Sequence, residues 1–347
     1  MKSKIQYNYT LSLQDTLLIK GVAICFMLWH HLFFDTSAYG DFVQNTAFLG
    51  KVCVAMFLFV SAYGLTIQFA DKKNYKYQFP SFTETIKFQA KRLFKLYVNY
   101  WFVFLIFVPV GILFFNRTLQ IAYGIHVNKL NCLFFDFFGM QGFQSYNITW
   151  WFYQLIIILY LIFPILYFAV KKMNIFILGF FFLILGFHQI RIPIVHDWLF
   201  PFALGISCAL NKEKISMFLN RINRKILFIS TLILLLSIAF LRLLEWRFGG
   251  IGMDGFFTLT WVLFIIISVR EVRIVTQVLK YLGKHSMNIF MIHTFIFSYF
   301  YSGFIYSFKY PILIFSALLT YSILISILIE YSKTRLGIYR FEKKWRN

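Results

Sequence analysis

Apolar runs long enough for a transmembrane helix alternate along this chain with short polar connections that are mostly basic. Crossing the ~30 Å hydrocarbon layer as a helix takes about 20 predominantly apolar residues. On that measure the pattern predicts ten spans, at 16–34, 47–69, 93–115, 150–170, 175–190, 198–210, 226–244, 255–269, 285–305 and 311–330. The runs at 198–210 and 255–269 are short, so they are expected to be tilted, broken or enclosed by neighbours. The predicted fold class is all-α: a polytopic membrane helix bundle forming one integral-membrane domain over 1–347, with no appended soluble domain. No internal repeat, heptad pattern or low-complexity linker interrupts it.

Loop charge sets the orientation. Of the 34 Lys and Arg, all but seven fall in alternate connections, which places those connections and both termini in the cytoplasm. The exceptions are Lys51, Arg117, Lys129, Arg191, Arg242, Arg247 and Lys309. Lys2 and Lys4 precede the first span without a small-residue cleavage site, so that span is expected to stay as an anchor. The longest outer connection, 116–149, carries LNCLFFDFFGM at 130–140. This run is too short to cross and holds Asp136, so an interfacial or re-entrant segment is expected.

Composition narrows the class further. The chain is 60% hydrophobic, 22% aromatic and 14% charged, with mean hydropathy +0.71; a soluble domain could not bury that much apolar surface. The net charge of +21 lies in loops between spans and marks topology, so no nucleic-acid partner is expected. Four cysteines without metal spacing point to packing, and no metal is expected. The wealth of Phe, Ile, Lys, Asn and Tyr suits an AT-rich bacterial genome. Asn-x-Thr triplets at Asn8, Asn116 and Asn147 are given no role.

Candidate chemistry centres on KGVAICFMLWHHLFFD, residues 20–35. Eleven helical steps leave Lys20 and His31 roughly 20° apart in rotation and about 16 Å apart along the axis. Asp35, four after His31, is expected on the same stripe and within reach of the imidazole, while His30 points about 80° away. Ionisable groups inside an apolar run are costly, which favours function, with His31 as a general base and Asp35 holding its tautomer. Lys20 fits an anion site or a snorkelling interfacial lysine equally. Lys91, Arg92 and Lys95 start the third span, with Arg92 and Lys95 on one face; they suit phosphate oxygens or follow from topology alone. FLFVSAYG at 57–64 carries small residues that permit either close helix packing or ligand space. LGKHSMNIFMIH at 282–293 places His285 at the interface and His293 deeper, where a structural and a direct role are both open. TWWFYQLIIILYLIFP at 149–164 reads as an aromatic belt followed by a proline-kinked span.

In order, these motifs resemble the integral-membrane acyltransferase-3 family of bacterial O-acyltransferases. The resemblance rests on Lys20 and His31, on FLFVSAYGL, on Arg92-x-x-Lys95, on WWFYQLIIILYLIFP and on LGKHSMNIFMIH, and it covers nearly the whole chain. Ala62 stands where the family usually has glycine, and Lys95 where it has arginine. The resemblance implies an acetyl-CoA-dependent O-acetyltransferase in the bacterial inner membrane. It would move an acyl group from cytoplasmic acyl-CoA, used as a substrate, to a hydroxyl of a surface polysaccharide or lipid-linked glycan. It implies catalytic roles for His31 and Asp35, acyl-CoA contacts for Lys20, Arg92 and Lys95, and a pocket of Ser61, Tyr63 and His293. Membrane lipid is an expected partner, and a homo-oligomer is left open. The competing reading is a secondary transporter or flippase for a sugar or lipid-linked anion.

Overall fold

The computed structural model describes residues 7–70, 81–173, 198–247 and 253–341. The expected span at 175–190, with His188 and Arg191, lies outside the described residues. Every regular element among the described residues is helical. In chain order they are α1 (Leu13–Phe33), α2 (Asp41–Leu49), α3 (Cys53–Ala70), α4 (Phe82–Phe114), α5 (Leu119–Tyr123), α6 (Lys129–Phe137) and α7 (Trp151–Lys172). Next come α8 (Leu199–Leu210), α9 (Lys212–Leu219), α10 (Arg224–Arg247), α11 (Asp254–Ile267), α12 (Arg273–Thr294), α13 (Ser302–Tyr306) and α14 (Pro311–Arg335). A π-helical turn, Phe295–Phe300, follows α12 directly.

Among the described residues, six helical stretches are long and apolar enough to cross a membrane: Leu13–Phe33, Asp41–Ala70, Phe82–Phe114, Ile148–Lys172, Arg224–Leu244 and Pro311–Arg335. Of the four other expected spans, 175–190 lies outside the described residues, and the remaining three fall short of that measure in length or polarity. At 1.5 Å per residue, α8 reaches about 18 Å and α11 about 21 Å, both short of the ~30 Å layer. The run at 285–305 divides between α12, whose first half is polar, and the π-helical turn. By contrast α4, with 33 residues, reaches about 50 Å and outlasts the layer. Its amphipathic start is fixed by a capping box between Ser81 and Glu84.

The chain forms two compact units. The first comprises Met1–His30, Asn45–Phe79 and Phe163–Lys284. Its helices meet at backbone distance through small residues. A Cβ on Gly21 would come within 1.9 Å of the Leu279 carbonyl oxygen, and one on Gly283 within 1.9 Å of that of Leu17. The two glycines thus form a reciprocal crossing of α1 and α12 that admits no side chain. Gly205 of α8 is likewise closed by Phe59 O at 2.3 Å and Ala62 Cβ at 2.9 Å. Ala62, in the small-residue motif of α3, is therefore a packing residue. At one end of this unit Arg242 Nε donates to Asp254 Oδ1 at 2.5 Å, both side chains 1% exposed, with the guanidinium over the Phe48 ring at 4.4 Å.

The second unit comprises His31–Gln44, Pro80–Ile162 and His285–Asn347. The connection between α4 and α7 is knitted by one carboxylate. Asp136, fully buried on α6, accepts from Tyr146 N at 2.5 Å, Tyr123 Oη at 2.8 Å and Tyr100 Oη at 3.1 Å. Leu130, Phe134 and Phe135 of the same helix are exposed. At nine residues, about 14 Å, α6 is too short to cross a bilayer, as the pattern predicts. A second polar cluster joins α4, α12 and α14. Lys333, fully buried, donates to Asn99 Oδ1 at 2.7 Å, Asn288 Oδ1 at 3.1 Å and Glu330 Oε1 at 3.3 Å. Asn288 Nδ2 also donates to Ser326 Oγ, which meets His285 Nδ1 at 2.8 Å.

Candidate active site

The two adjacent histidines of α1 have different fates. His30 Nδ1 lies 2.8 Å from the Ala47 carbonyl oxygen, within the first unit; that bond satisfies it as a structural group. His31 belongs to the second unit, where its ring stands 5.0 Å from that of His293, tilted by 42°. His31 lines a cavity of about 480 Å³ together with Asp35, Tyr39, Thr149, Ser298 and Tyr306. Tyr306 Oη donates to the Leu32 carbonyl at 3.1 Å, and Gln44 Nε2 to that of Phe34 at 3.2 Å. These bonds hold the chain leaving α1 against the cavity. Hydroxyls, one carboxylate and aromatic faces make the wall suited to a polar, hydroxyl-bearing ligand.

His293 is fully buried at the end of α12. Its Nδ1 faces the Phe290 and Ile289 carbonyl oxygens at 2.8 and 3.2 Å. Carbonyls only accept, so Nδ1 carries a proton and Nε2 is the nitrogen available for acid–base work. A directional chain fixes what Nε2 meets. Asn147 Nδ2 donates to Met291 O at 3.3 Å, which leaves Asn147 Oδ1 to accept from Thr149 N at 3.1 Å and Thr149 Oγ1 at 2.8 Å. With its proton spent there, Thr149 accepts from Thr294, 3.1 Å away. Thr294 then presents only a lone pair to His293 Nε2, at 3.3 Å. That arrangement suits Nε2 when it bears a proton, and so favours the imidazolium that forms when this pair of rings takes one up. The π-helical turn follows immediately, and such turns are frequent at functional sites.

The structure brings some predicted residues together and separates others. His31 and His293 are neighbours. Asp35 shares the cavity wall with His31, but not by the helical i,i+4 relation expected: α1 ends at Phe33, and Asp35 lies in the following turn, exposed. Tyr63 lines a cavity within the first unit, with Ser61 two residues before it on α3, and His293 belongs to the second unit. Lys20 lies on α1 eleven residues before His31, a spacing the unbroken helix preserves. Arg92 sits over the Phe88 ring at 5.4 Å and Lys95 is exposed, both on the first half of α4. The Lys95 carbonyl accepts from Asn99 Nδ2 at 3.0 Å, which ties this turn to the Lys333 cluster.

Sequence reasoning missed Asn147, Thr149 and Thr294. The first two formed a glycosylation-like triplet, yet they are 0% and 4% exposed. A polar triplet directly before a tryptophan-led span was the available signal. Arg242 was read as a loop charge and is instead buried with Asp254.

Comparison with curated proteins and with solved structures gives no match. The acyltransferase-3 family model, described as an acyltransferase domain, matches residues 17–331. That match takes in α1 with His31, the basic turn of α4, α12 with His293 and most of α14. With helices of membrane-spanning length and the His31 cavity inside the matched region, the chain belongs to the acyltransferase-3 family.

Proposed function

We propose that this acyltransferase moves an acetyl group from cytoplasmic acetyl-CoA to a sugar hydroxyl of a surface polysaccharide or lipid-linked glycan, in a bacterial inner membrane. The observation that carries the reading is the His31–His293 pair beside a hydroxyl-lined cavity. The acceptor hydroxyl enters that cavity. His31 removes its proton as the oxygen attacks the thioester carbonyl carbon. The C–S bond breaks, and the proton ends on the coenzyme A sulfur, giving the O-acetyl ester and free thiol. In the two-step variant His31 first holds the acetyl group as an acyl-imidazole, and the acceptor oxygen then displaces it. His293 and Thr294 stabilise the charged ring pair in either route. Asp35 orients His31 from the cavity wall. Arg92 and Lys95 hold donor phosphates, the guanidinium by paired contacts and the ammonium as a point charge. Lys20 is a further donor-side cation about 16 Å down α1 from His31. Ten spans with both ends in the cytoplasm fit this layout, since the anionic donor is cytoplasmic.

A positioned base supplies about 10²–10⁴-fold in rate. The test is transfer of labelled acetyl from acetyl-CoA to extracted glycan by membranes carrying His31→Ala or His31→Gln at matched protein levels. A loss of at least a hundredfold is expected in both. Retained transfer in His31→Gln would refute the assignment of the base.

A further inference from the structure

The first unit holds a cavity that acyl transfer to a sugar leaves unused. It measures about 290 Å³ and is walled mainly by carbon: Phe59 of α3, Ile215 of α9, and Val262 and Ile266 of α11. Two polar features break the wall. The Tyr63 side chain is 4% exposed, and its hydroxyl makes no hydrogen bond among the described residues, though the Leu11 backbone passes nearby. Lys212, half-buried at the start of α9, is the only charged residue among those lining the cavity. A buried phenol O–H without an acceptor is unfavourable, which points to a ligand oxygen as its partner.

The surroundings indicate how a ligand arrives. α9 carries Lys212, Glu213 and Lys214 in its first turn and exposes Met217 and Phe218 later on. Lysines beside exposed apolar side chains on a short helix suit a headgroup layer. Lys212 and Ile215 of this helix also line the cavity, so the cavity adjoins that charged and apolar surface. A volume near 290 Å³ sits at the lower edge of small-ligand pockets and suits one chain.

We propose that this cavity is a binding site for one acyl chain of an anionic phospholipid from the surrounding bilayer. The hydrocarbon lies against Phe59, Val262 and Ile266. Lys212 pairs with the headgroup phosphate, and Tyr63 donates its hydroxyl to an ester carbonyl oxygen. No bond is made or broken, and the proposal stands apart from the transfer reaction.

The test uses the full chain in nanodiscs containing a phosphatidylglycerol with a diazirine in one acyl chain, followed by photolysis and peptide mass spectrometry. Labels are expected on the buried Phe59, Val262 or Ile266, beyond those on exposed Met217 and Phe218. Leu263 also lines the cavity, and Leu263→Trp, which fills it, should cut the buried labels at least fivefold while leaving the exposed labels and the unfolding temperature unchanged. Lys212→Gln should remove the preference for this probe over a phosphatidylcholine of the same chain. Labels confined to exposed residues would overturn the site, as would buried labels that survive Leu263→Trp. Equal labelling by the two headgroups in the unaltered protein would overturn the anionic assignment. Labelling by a diazirine palmitoyl-CoA alone would give the cavity to a soluble thioester instead.

Discussion

Thr294→Val is nearly isosteric and removes one hydroxyl at the base of the histidine pair. In the structure that hydroxyl donates to Thr149 and presents its lone pair to His293 Nε2 at 3.3 Å. The direction of the chain is fixed further back, because Asn147 must turn its amide nitrogen to the Met291 carbonyl. The lost contact therefore matters only when Nε2 carries a proton, that is, in the transition state and not in the resting enzyme. A hydrogen bond involving a charged group contributes about 1.5–3 kcal/mol, and at 3.3 Å the lower figure applies. Each 1.36 kcal/mol is tenfold in rate, so kcat should fall by about tenfold. KM for acetyl-CoA should hold, since ground-state binding does not use the contact. Thr149 keeps Asn147 as a partner, so the stability cost should be about 1 kcal/mol. The assay is turnover of labelled acetyl-CoA by membranes, with unfolding temperature as the control. Thr294→Ser should recover most of the rate. An unchanged kcat in the valine variant, or no recovery with serine, would refute the oriented chain.

Other outcomes follow from single contacts. Gly283→Ala drives a Cβ onto the Leu17 backbone; since backbone cannot yield as a side chain can, a loss of about 3 kcal/mol or more is expected, read as a lowered unfolding temperature. Arg92→Ala should raise KM for acetyl-CoA by about tenfold with kcat retained, measured by initial rates against donor concentration. Burial pushes the Asp136 carboxyl above its ordinary pKa, against the bonds from Tyr146, Tyr123 and Tyr100 that pull it down. With the folded value above the unfolded ~3.9, its contribution is complete below about pH 4 and fades as pH rises through the folded value. The advantage of the unaltered protein over Asp136→Asn should accordingly shrink on going from pH 4 upward, as followed by unfolding temperatures across that range. A widening gap would contradict the burial argument.

Much of this molecule was legible in its residues. The apolar runs announced the spanning helices, because twenty apolar side chains in succession have no other stable solvent. The amphipathic 130–140 segment, the deep His293 and the distinct faces of His30 and His31 were equally readable from helical period. Spacing also drew attention to Arg92 and Lys95, although it could not distinguish a phosphate site from a topology signal.

Other features depended on where the chain turns. Asp35 obeyed helical spacing in the sequence, but α1 stops at Phe33, and no cap or breaker short of the turn itself marks that end. The small-residue motif around Ala62 permitted either close packing or ligand space; the crossing of α3 and α8 at Gly205 made Ala62 a packing residue. Lys333 counted in the sequence only as one of the cytoplasmic loop charges. It is fully buried because Asn99 and Asn288, more than forty residues away on other helices, supply its acceptors. By itself the sequence determined which segments are helical and apolar, since period and hydrophobicity are properties of neighbouring residues. Only the tertiary structure decided which polar groups meet, because hydrogen-bond partners such as Asn147, Thr149 and Thr294 are chosen by the packing of helices distant in the chain.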